Sequence, residues 1–269
     1  MQWVKRTLDK SIKLVSTASA ASTASAASTT SAASILAAAL NGDDTTRYQS
    51  IVGKLMYAMI ATRPDLAFAV STLGRFNAAP NATHLEAAKK TLRYLRKTSN
   101  VGLIYSSSLD PSNAPIGYCD SDWAGDLDSR RSTTGYVFLL SNGAISWKSR
   151  RQQTVALSST EAEYMAVTDA SKEGTWLRSL YGEIKLWNPS TQPQLILVDN
   201  NGAIELAKNP KHHDRTKHID IRHHFIREAI ESKLIELQRV DTSLNTADIF
   251  TKALSVELHQ RHVKELGLG

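Results

Sequence analysis

The stretch Gly117-Tyr118-Cys119-Asp120-Ser121-Asp122-Trp123-Ala124-Gly125 limits the possible folds of this chain more than any other. A turn-rich segment, Pro111 to Pro115, precedes it, and a second strand-like segment, Gly135 to Leu140, follows it. Asp120 is therefore expected on a central strand, at or near its end, where a carboxylate can face a solvent cleft. Three further acids, Glu163, Asp199 and Asp248, fall at element junctions: a helix start, a strand end and a helix start. Four convergent carboxylates without a conventional nucleophile point to metal ions and phosphate chemistry.

The periodicity around these acids predicts an α/β architecture. Ile51, Leu55, Ala58 and Met59 recur at helical spacing, and Thr62-Arg63-Pro64-Asp65 opens a second helix striped by Leu66, Ala69, Val70 and Leu73. A third helix is expected from His84 to Lys97, with a basic outer face. Leu103-Ile104-Tyr105 leads into the strand of Asp120, and Ser141-Asn142-Gly143 signals a hairpin. A helix is expected over Thr160 to Leu180. The apolar run Leu195 to Val198 reads as a strand buried on both faces. A helix through Ala203 to Ala207 follows, then a helix from His218 to Ser232, a strand from Leu234 to Val240, and a last helix from Asn245. The whole is a mixed sheet with helices on its faces. The first 46 residues, with a wholly Ala/Ser/Thr tract from Ser16 to Ser34, read as a disordered or weakly helical tail. Gly42-Asp43-Asp44 is read as part of that linker.

Composition narrows the function. The net charge of +6 favours a polyanionic partner, and the single cysteine excludes an intramolecular disulfide and a cysteine-cluster zinc site. No apolar run reaches the roughly 18 residues of a membrane span. The first 40 residues lack a compact apolar signal core, so an intracellular protein is expected.

Each acid has a plainer role to weigh. Asp120 could be a strand-end turn acid, and Asp122, two residues on, shares its side if the strand continues; a cation would favour that pair. Glu161 fits a capping box with Ser158 as N-cap, a structural role. Glu163 shares a face with Ala166, Val167, Ala170 and Leu177, so it is aimed at the sheet, where an unpaired carboxylate is costly. Asp199 could cap the next helix, and Asp248 could simply favour a helix dipole. His212, His213, His218, His223 and His224 match no compact zinc spacing and read as part of a basic surface.

At this point a resemblance emerges. The Asp120 stretch, Arg131-Ser132-Thr133-Thr134-Gly135-Tyr136, Ala156-Leu157-Ser158-Ser159-Thr160-Glu161-Ala162-Glu163-Tyr164 and Arg215 to Arg222 resemble the C-terminal ribonuclease H domain of copia-type LTR retrotransposon Pol polyproteins. Tyr48 to Tyr57 and Thr62 to Asp65 resemble the segment joining reverse transcriptase to that domain. The resemblance divides the chain into a tail (1–46), a helical connector (47–110) and a ribonuclease H-like domain (111–269).

It implies a five-stranded mixed sheet with flanking helices and endonucleolytic cleavage of RNA in RNA–DNA hybrids. Two Mg²⁺ ions, or Mn²⁺, would be held by Asp120, Glu163, Asp199 and Asp248. Ser158, Ser159, Thr160 and Asn200 are candidates for contact with 2′-OH groups. Arg130, Arg131, Lys148, Arg150 and Arg151 are candidates for phosphates. The implied partners are the hybrid and the reverse transcriptase part of a polyprotein, in a cytoplasmic virus-like particle or the nucleus. A histidine common before the last helix in bacterial-type members is replaced here by Asp241-Thr242-Ser243-Leu244. The alternatives are a catalytically silent nucleic-acid-binding remnant and a purely structural connector.

Overall fold

The computed structural model describes residues 40–106, 114–185, 192–208 and 220–269, with backbone alone for 220–224. The histidines His212, His213 and His218, and the tail before residue 40, lie outside the described residues, as do the side chains of His223 and His224.

The chain begins with α1 (Gly42–Ala61), α2 (Ala67–Gly74) and α3 (Ala82–Lys97). Helix α1 starts earlier than the tail reading allows. Asn41 caps it by accepting the Asp44 N–H at 2.8 Å, and Asp43 and Asp44 sit in the first turn, where the helix dipole favours acids. The three helices bury Tyr48, Val52, Leu55, Leu66, Val70, Leu73 and Leu85 against one another. The Thr62-Arg63-Pro64-Asp65 motif supplies a buried clamp. Arg63 grips Asp65 through Nε at 2.9 Å and Nη2 at 2.7 Å, and its Nη1 reaches the Thr98 carbonyl at 2.9 Å. Tyr94 donates to the same Asp65 at 2.7 Å. The start of α2 is thus tied to the end of α3 by bidentate charge-assisted bonds.

The sheet follows: β1 (Ile116–Asp122), β2 (Thr133–Leu140) and β3 (Gly143–Arg151), then α4 (Ser159–Glu183), β4 (Gln194–Val198), α5 (Asn201–Lys208), α6 (Asp220–Glu231) and β5 (Ile235–Arg239). Strand order is β3-β2-β1-β4-β5. The first three strands form an antiparallel meander, and β4 and β5 join parallel to β1. This is the expected five-stranded mixed sheet. One face packs Phe138, Ile196 and Val198 against Tyr164, Val167, Ala170 and Leu177 of α4. Burying a side chain such as Phe138 fully stabilises the fold by about 1.5–3 kcal/mol. The other face packs Val137 and Ala144 against Ile249, Phe250, Leu254 and Leu266. There Trp147 also donates to the Met59 carbonyl at 3.1 Å, so the N-terminal helices lean on β3.

Three elements differ from expectation. Strand β4 is buried on one face only: Ile196 and Val198 are covered, while Leu195 and Leu197 are half-buried. Leu103 forms an isolated bridge with Leu268, because its neighbours Gly102 and Ile104 hydrogen-bond to Gly269 and Gly267 at the C-terminus, not to the sheet. The last helix is split into a 3₁₀ turn (Thr246–Phe250) and α7 (Val256–Glu265). Each has its own cap: Asn245 accepts from Ala247 N at 3.2 Å, and Ser255 accepts from Leu258 N at 3.3 Å.

Candidate metal and nucleic-acid site

Asp120 lies on β1, the middle strand, and is 2% exposed. Its partner across β2 is Gly135. A Cβ there would come within 2.7 Å of Phe250 and Thr251, so the glycine lets the 3₁₀ turn of Asp248 press onto the sheet beside Asp120. Asn245 pins that turn by donating to the Cys119 carbonyl at 3.0 Å. The Thr251 hydroxyl donates to Asp120 Oδ2.

The two glutamates of α4 separate cleanly. Ser158 accepts from the Glu161 N–H at 3.2 Å, and Glu161 turns back to accept from Leu157 N at 2.8 Å. Its carboxylate is thereby committed to the helix start. Glu163 is two residues on, about 200° further round the helix, and points at the sheet. Its Oε1 accepts from Ser121 N at 3.2 Å, and its Oε2 is buried without a hydrogen-bond donor. Asp199 follows β4 directly. The parallel register sets Cys119 against Val198, so the next residues, Asp120 and Asp199, come side by side. The capping role open to Asp199 falls instead to Asn200, whose Oδ1 accepts from Ala203 N at 3.0 Å.

One oxygen from each of Asp120, Glu163 and Asp199 lies within 4.8 Å of the others. Crowding shows in the electrostatics. Burial, then the negative charges of Asp120 and Asp199, push the Glu163 carboxyl far above the usual range. Burial and Asp120 raise Asp199 in the same way. Asp248 is buried beside Asp120 and is also raised, first by burial and then by that neighbour.

Asp248 has a partner that sequence reasoning missed. Lys252 Nζ stands 2.8 Å from Asp248 Oδ1 and 3.9 Å from Asp120 Oδ2. Burial works against its charge, but Asp120, Asp248 and Asp199 outweigh that and raise its affinity for the proton. Lys252 is an internal counter-ion for the cluster. The Asp248–Lys252 spacing of four residues is a familiar ion-pair signal in sequence.

Asp122 stays out of the cluster. It accepts from the Thr133 N–H at the mouth of the β1–β2 loop. A Cβ on Gly125 would come within 1.8 Å of Asp122 Oδ2, so the loop folds over this carboxylate only because Gly125 has none. Burial lifts the Asp122 carboxyl to about 6, with Asp120 adding to the effect.

The candidates for nucleic-acid contact divide. Ser158 and Ser159 are exposed and Thr160 and Asn200 half-buried, all at the ends of elements that carry Glu163 or Asp199. Lys148 is paired with Asp169 at 2.9 Å, and Arg151 with Asp126 at 2.7 Å. Arg130, Arg131 and Arg150 pair with no acid among the described residues.

An all-carboxylate donor set suits a hard divalent cation such as Mg²⁺ or Mn²⁺. The residues fit such an ion: Glu163 Oε2 is buried without a hydrogen-bond donor, which is costly for a carboxylate, and a cation held with Asp120 and Asp199 would offset that cost. No described helix is long and apolar enough to cross a membrane.

Sheet order, the α4 glutamate and the carboxylates of β1 and after β4 define a ribonuclease H-like fold with a buried acidic group that could hold a metal ion. Sequence comparison takes this further. The chain is 46% identical over 207 residues to the retrovirus-related Pol polyprotein from transposon TNT 1-94 of Nicotiana tabacum, covering 77% of this chain. It is 41% identical over 225 residues to that from transposon RE1 of Arabidopsis thaliana, covering 84%. It belongs to the copia-type Pol polyprotein family. It spans 15% of the length of each of these two relatives. A shorter relative, named secreted RxLR effector protein 161 of Plasmopara viticola, is 52% identical over 130 residues, which is 48% of this chain and 90% of that protein. No family model matches the chain.

Proposed function

We propose that the chain hydrolyses the RNA strand of RNA–DNA hybrids as the ribonuclease H part of a Pol polyprotein. The observation that carries this reading is the buried Glu163 oxygen without a donor, on one of three carboxylates that each bring an oxygen within 4.8 Å of the others. Asp120, Glu163 and Asp199 would hold Mg²⁺, with Asp248 adjoining Asp120 as the fourth carboxylate. Divalent ions bound there would activate a water and stabilise the leaving oxygen of an in-line displacement at phosphorus. Thr251 orients Asp120 through its hydroxyl, and Ser121 N–H orients Glu163. Lys252 balances charge at the Asp248 side.

The exposed hydroxyls of Ser158 and Ser159, with Thr160 and Asn200, flank the carboxylates and offer contacts for 2′-OH groups, the feature that separates RNA from DNA. Arg130, Arg131 and Arg150, which pair with no acid among the described residues, offer guanidinium groups for phosphates, while Lys148 and Arg151 would have to share their charges with Asp169 and Asp126. On this reading, residues 111–269 are the catalytic unit, 47–110 the connector, and the working location is a virus-like particle or the nucleus.

The test is a substrate panel in Mg²⁺ buffer: an end-labelled hybrid, and duplex DNA, duplex RNA and single-stranded RNA of the same sequence. Cleavage confined to the RNA of the hybrid is expected. Binding to the hybrid without cleavage would favour the silent remnant instead.

A further inference from the structure

The carboxylate cluster has two sides, and Asp120 belongs to both. On one side an oxygen of Asp120 lies within 4.8 Å of oxygens from Glu163 and Asp199. On the other stands Asp248 with Lys252, whose Nζ is 2.8 Å from Asp248 Oδ1 and 3.9 Å from Asp120 Oδ2. Each side presents a buried carboxylate oxygen that accepts no hydrogen bond, Glu163 Oε2 on the first and Asp248 Oδ1 on the second. Glu163 is 6% and Asp248 3% exposed, so a bare oxygen on either is costly. The two sides differ in charge. No lysine or arginine among the described residues pairs with Glu163 or Asp199. The Lys252 ammonium neutralises Asp248 Oδ1 but stands out of line for a hydrogen bond to it. It supplies charge without the directed contact that would fix it there.

Only the tip of Lys252 is free to move. Its backbone N–H donates to the Asp248 carbonyl at 3.2 Å, and the preceding Thr251 donates its hydroxyl to Asp120 Oδ2. The backbone therefore stays with the cluster. The side chain is 41% exposed, so the ammonium can swing out on its four-carbon stem without opening the core. While it stays, this compact point charge lies between two carboxylates, as a cation shared by them would. We infer that Lys252 holds the Asp120–Asp248 side closed to divalent ions. A first ion then binds with Asp120, Glu163 and Asp199, where four carboxylates still outweigh one ammonium. A second ion binds only by displacing Lys252 from Asp248.

This deepens the ribonuclease reading and takes its divalent ions from it. The full chain, without nucleic acid, is titrated with Mn²⁺, and free and bound ion are counted by electron paramagnetic resonance. Wild type should bind one ion tightly and a second more weakly. Lys252→Met should tighten the second ion at least about tenfold and the first much less, because the ammonium opposes only the ion that must displace it. Lys252→Arg keeps the charge and should stay near wild type. Lys252→Gln repeats the test with a polar side chain, and melting curves show that each variant is folded. Asp248→Asn should lose the weak ion and keep the tight one, a result that does not depend on how Lys252 variants fold. Equal tightening of both ions by Lys252→Met and Lys252→Gln, or none, overturns the gate and leaves the ribonuclease reading intact. Loss of the tight ion in Asp248→Asn overturns it as well, as does a wild type that takes up no Mn²⁺. Gated Mn²⁺ binding by a chain that cuts no hybrid would keep the gate and remove the ribonuclease reading.

Discussion

Replacing Glu163 by Gln should separate metal binding from folding. The substitution keeps the shape of the side chain and removes one charge from a group of carboxylates whose oxygens lie within 4.8 Å. At that separation, one fully charged pair repels by about 3 kcal/mol at an effective dielectric of about 20. Near neutral pH the wild-type carboxyl is already largely protonated, because burial and its two acidic neighbours push it up. In metal-free buffer, Glu163→Gln should match wild type in thermal midpoint near pH 4, where the unfolded chain also holds that proton. Above about pH 5 the variant should gain steadily, on the order of 1–3 kcal/mol or roughly 2–10 °C by pH 7, because wild type keeps a proton that its unfolded chain has lost. In millimolar Mg²⁺ the order reverses: wild type is stabilised by the bound ion, and Glu163→Gln gains much less. Hybrid cleavage should fall at least 100-fold. Glu161→Gln is the control. Its side-chain oxygen can still accept from Leu157 N, so midpoint and cleavage should stay near wild type. The assay is paired: melting and cleavage, with and without Mg²⁺, for all three proteins. A normal Mg²⁺ response in Glu163→Gln, or its loss in Glu161→Gln, would refute the helix-phase argument.

Lys252→Met should lower the metal-free midpoint by about 1–2 kcal/mol equivalent, because it strands the buried Asp248; the figure allows for partial exposure of the lysine. The same variant should bind Mn²⁺ more tightly in a calorimetric titration, and an unchanged affinity would count against the counter-ion role. The pH dependence has a definite sign above about pH 7.5, where buried His84 and half-buried His259, both shifted down in the fold, have finished contributing. There Glu163, with its raised affinity, keeps a proton that the unfolded chain has lost, so metal-free stability should fall as pH rises, and Mg²⁺ should flatten the curve. A flat metal-free midpoint between pH 7.5 and 10 would contradict this. Asp126→Asn should destabilise by about 2–3 kcal/mol, since Asp126 joins Arg75 of the N-terminal helices to Arg151 of β3. Against its own burial, Ser129, Arg151 and Arg75 hold this carboxyl down at about 2, and urea denaturation above pH 5 reads the loss.

Much of the site was legible in the sequence because each acid sits where a local rule places it. The phase of α4 directs Glu163 to the sheet and leaves Glu161 to the cap, and an apolar run that stops at Val198 leaves Asp199 at a strand end. What a linear reading lacked was register. That Cys119 pairs with Val198, and so sets Asp120 against Asp199, depends on tertiary pairing. The sequence leaves open whether Asp122 joins Asp120, because its carboxylate is drawn to Thr133 N by a loop that folds over it only where Gly125 has no side chain. The split of the last helix follows from two competing caps, Asn245 and Ser255, of which Asn245 is also held by the Cys119 carbonyl. The early start of α1 was overlooked because Gly42 resembles a linker residue, while Asn41 beside it is a strong cap. Lys252 was visible as a residue four positions after Asp248, but its reach to Asp120 needed the 3₁₀ turn to lie on β1.

The central claim is that these carboxylates make the chain a metal-dependent nuclease for RNA paired with DNA. The most direct measurement follows an internally labelled RNA strand in a hybrid, incubated with wild type and Asp120→Asn, in Mg²⁺ and in chelator. Wild type should cut the RNA in Mg²⁺ alone, leaving ends produced by water attack, and Asp120→Asn should be silent under both conditions while melting as a folded protein. Cleavage that survives chelator or Asp120→Asn, or products with 2′,3′-cyclic phosphate ends from attack by the neighbouring 2′-OH, would contradict it.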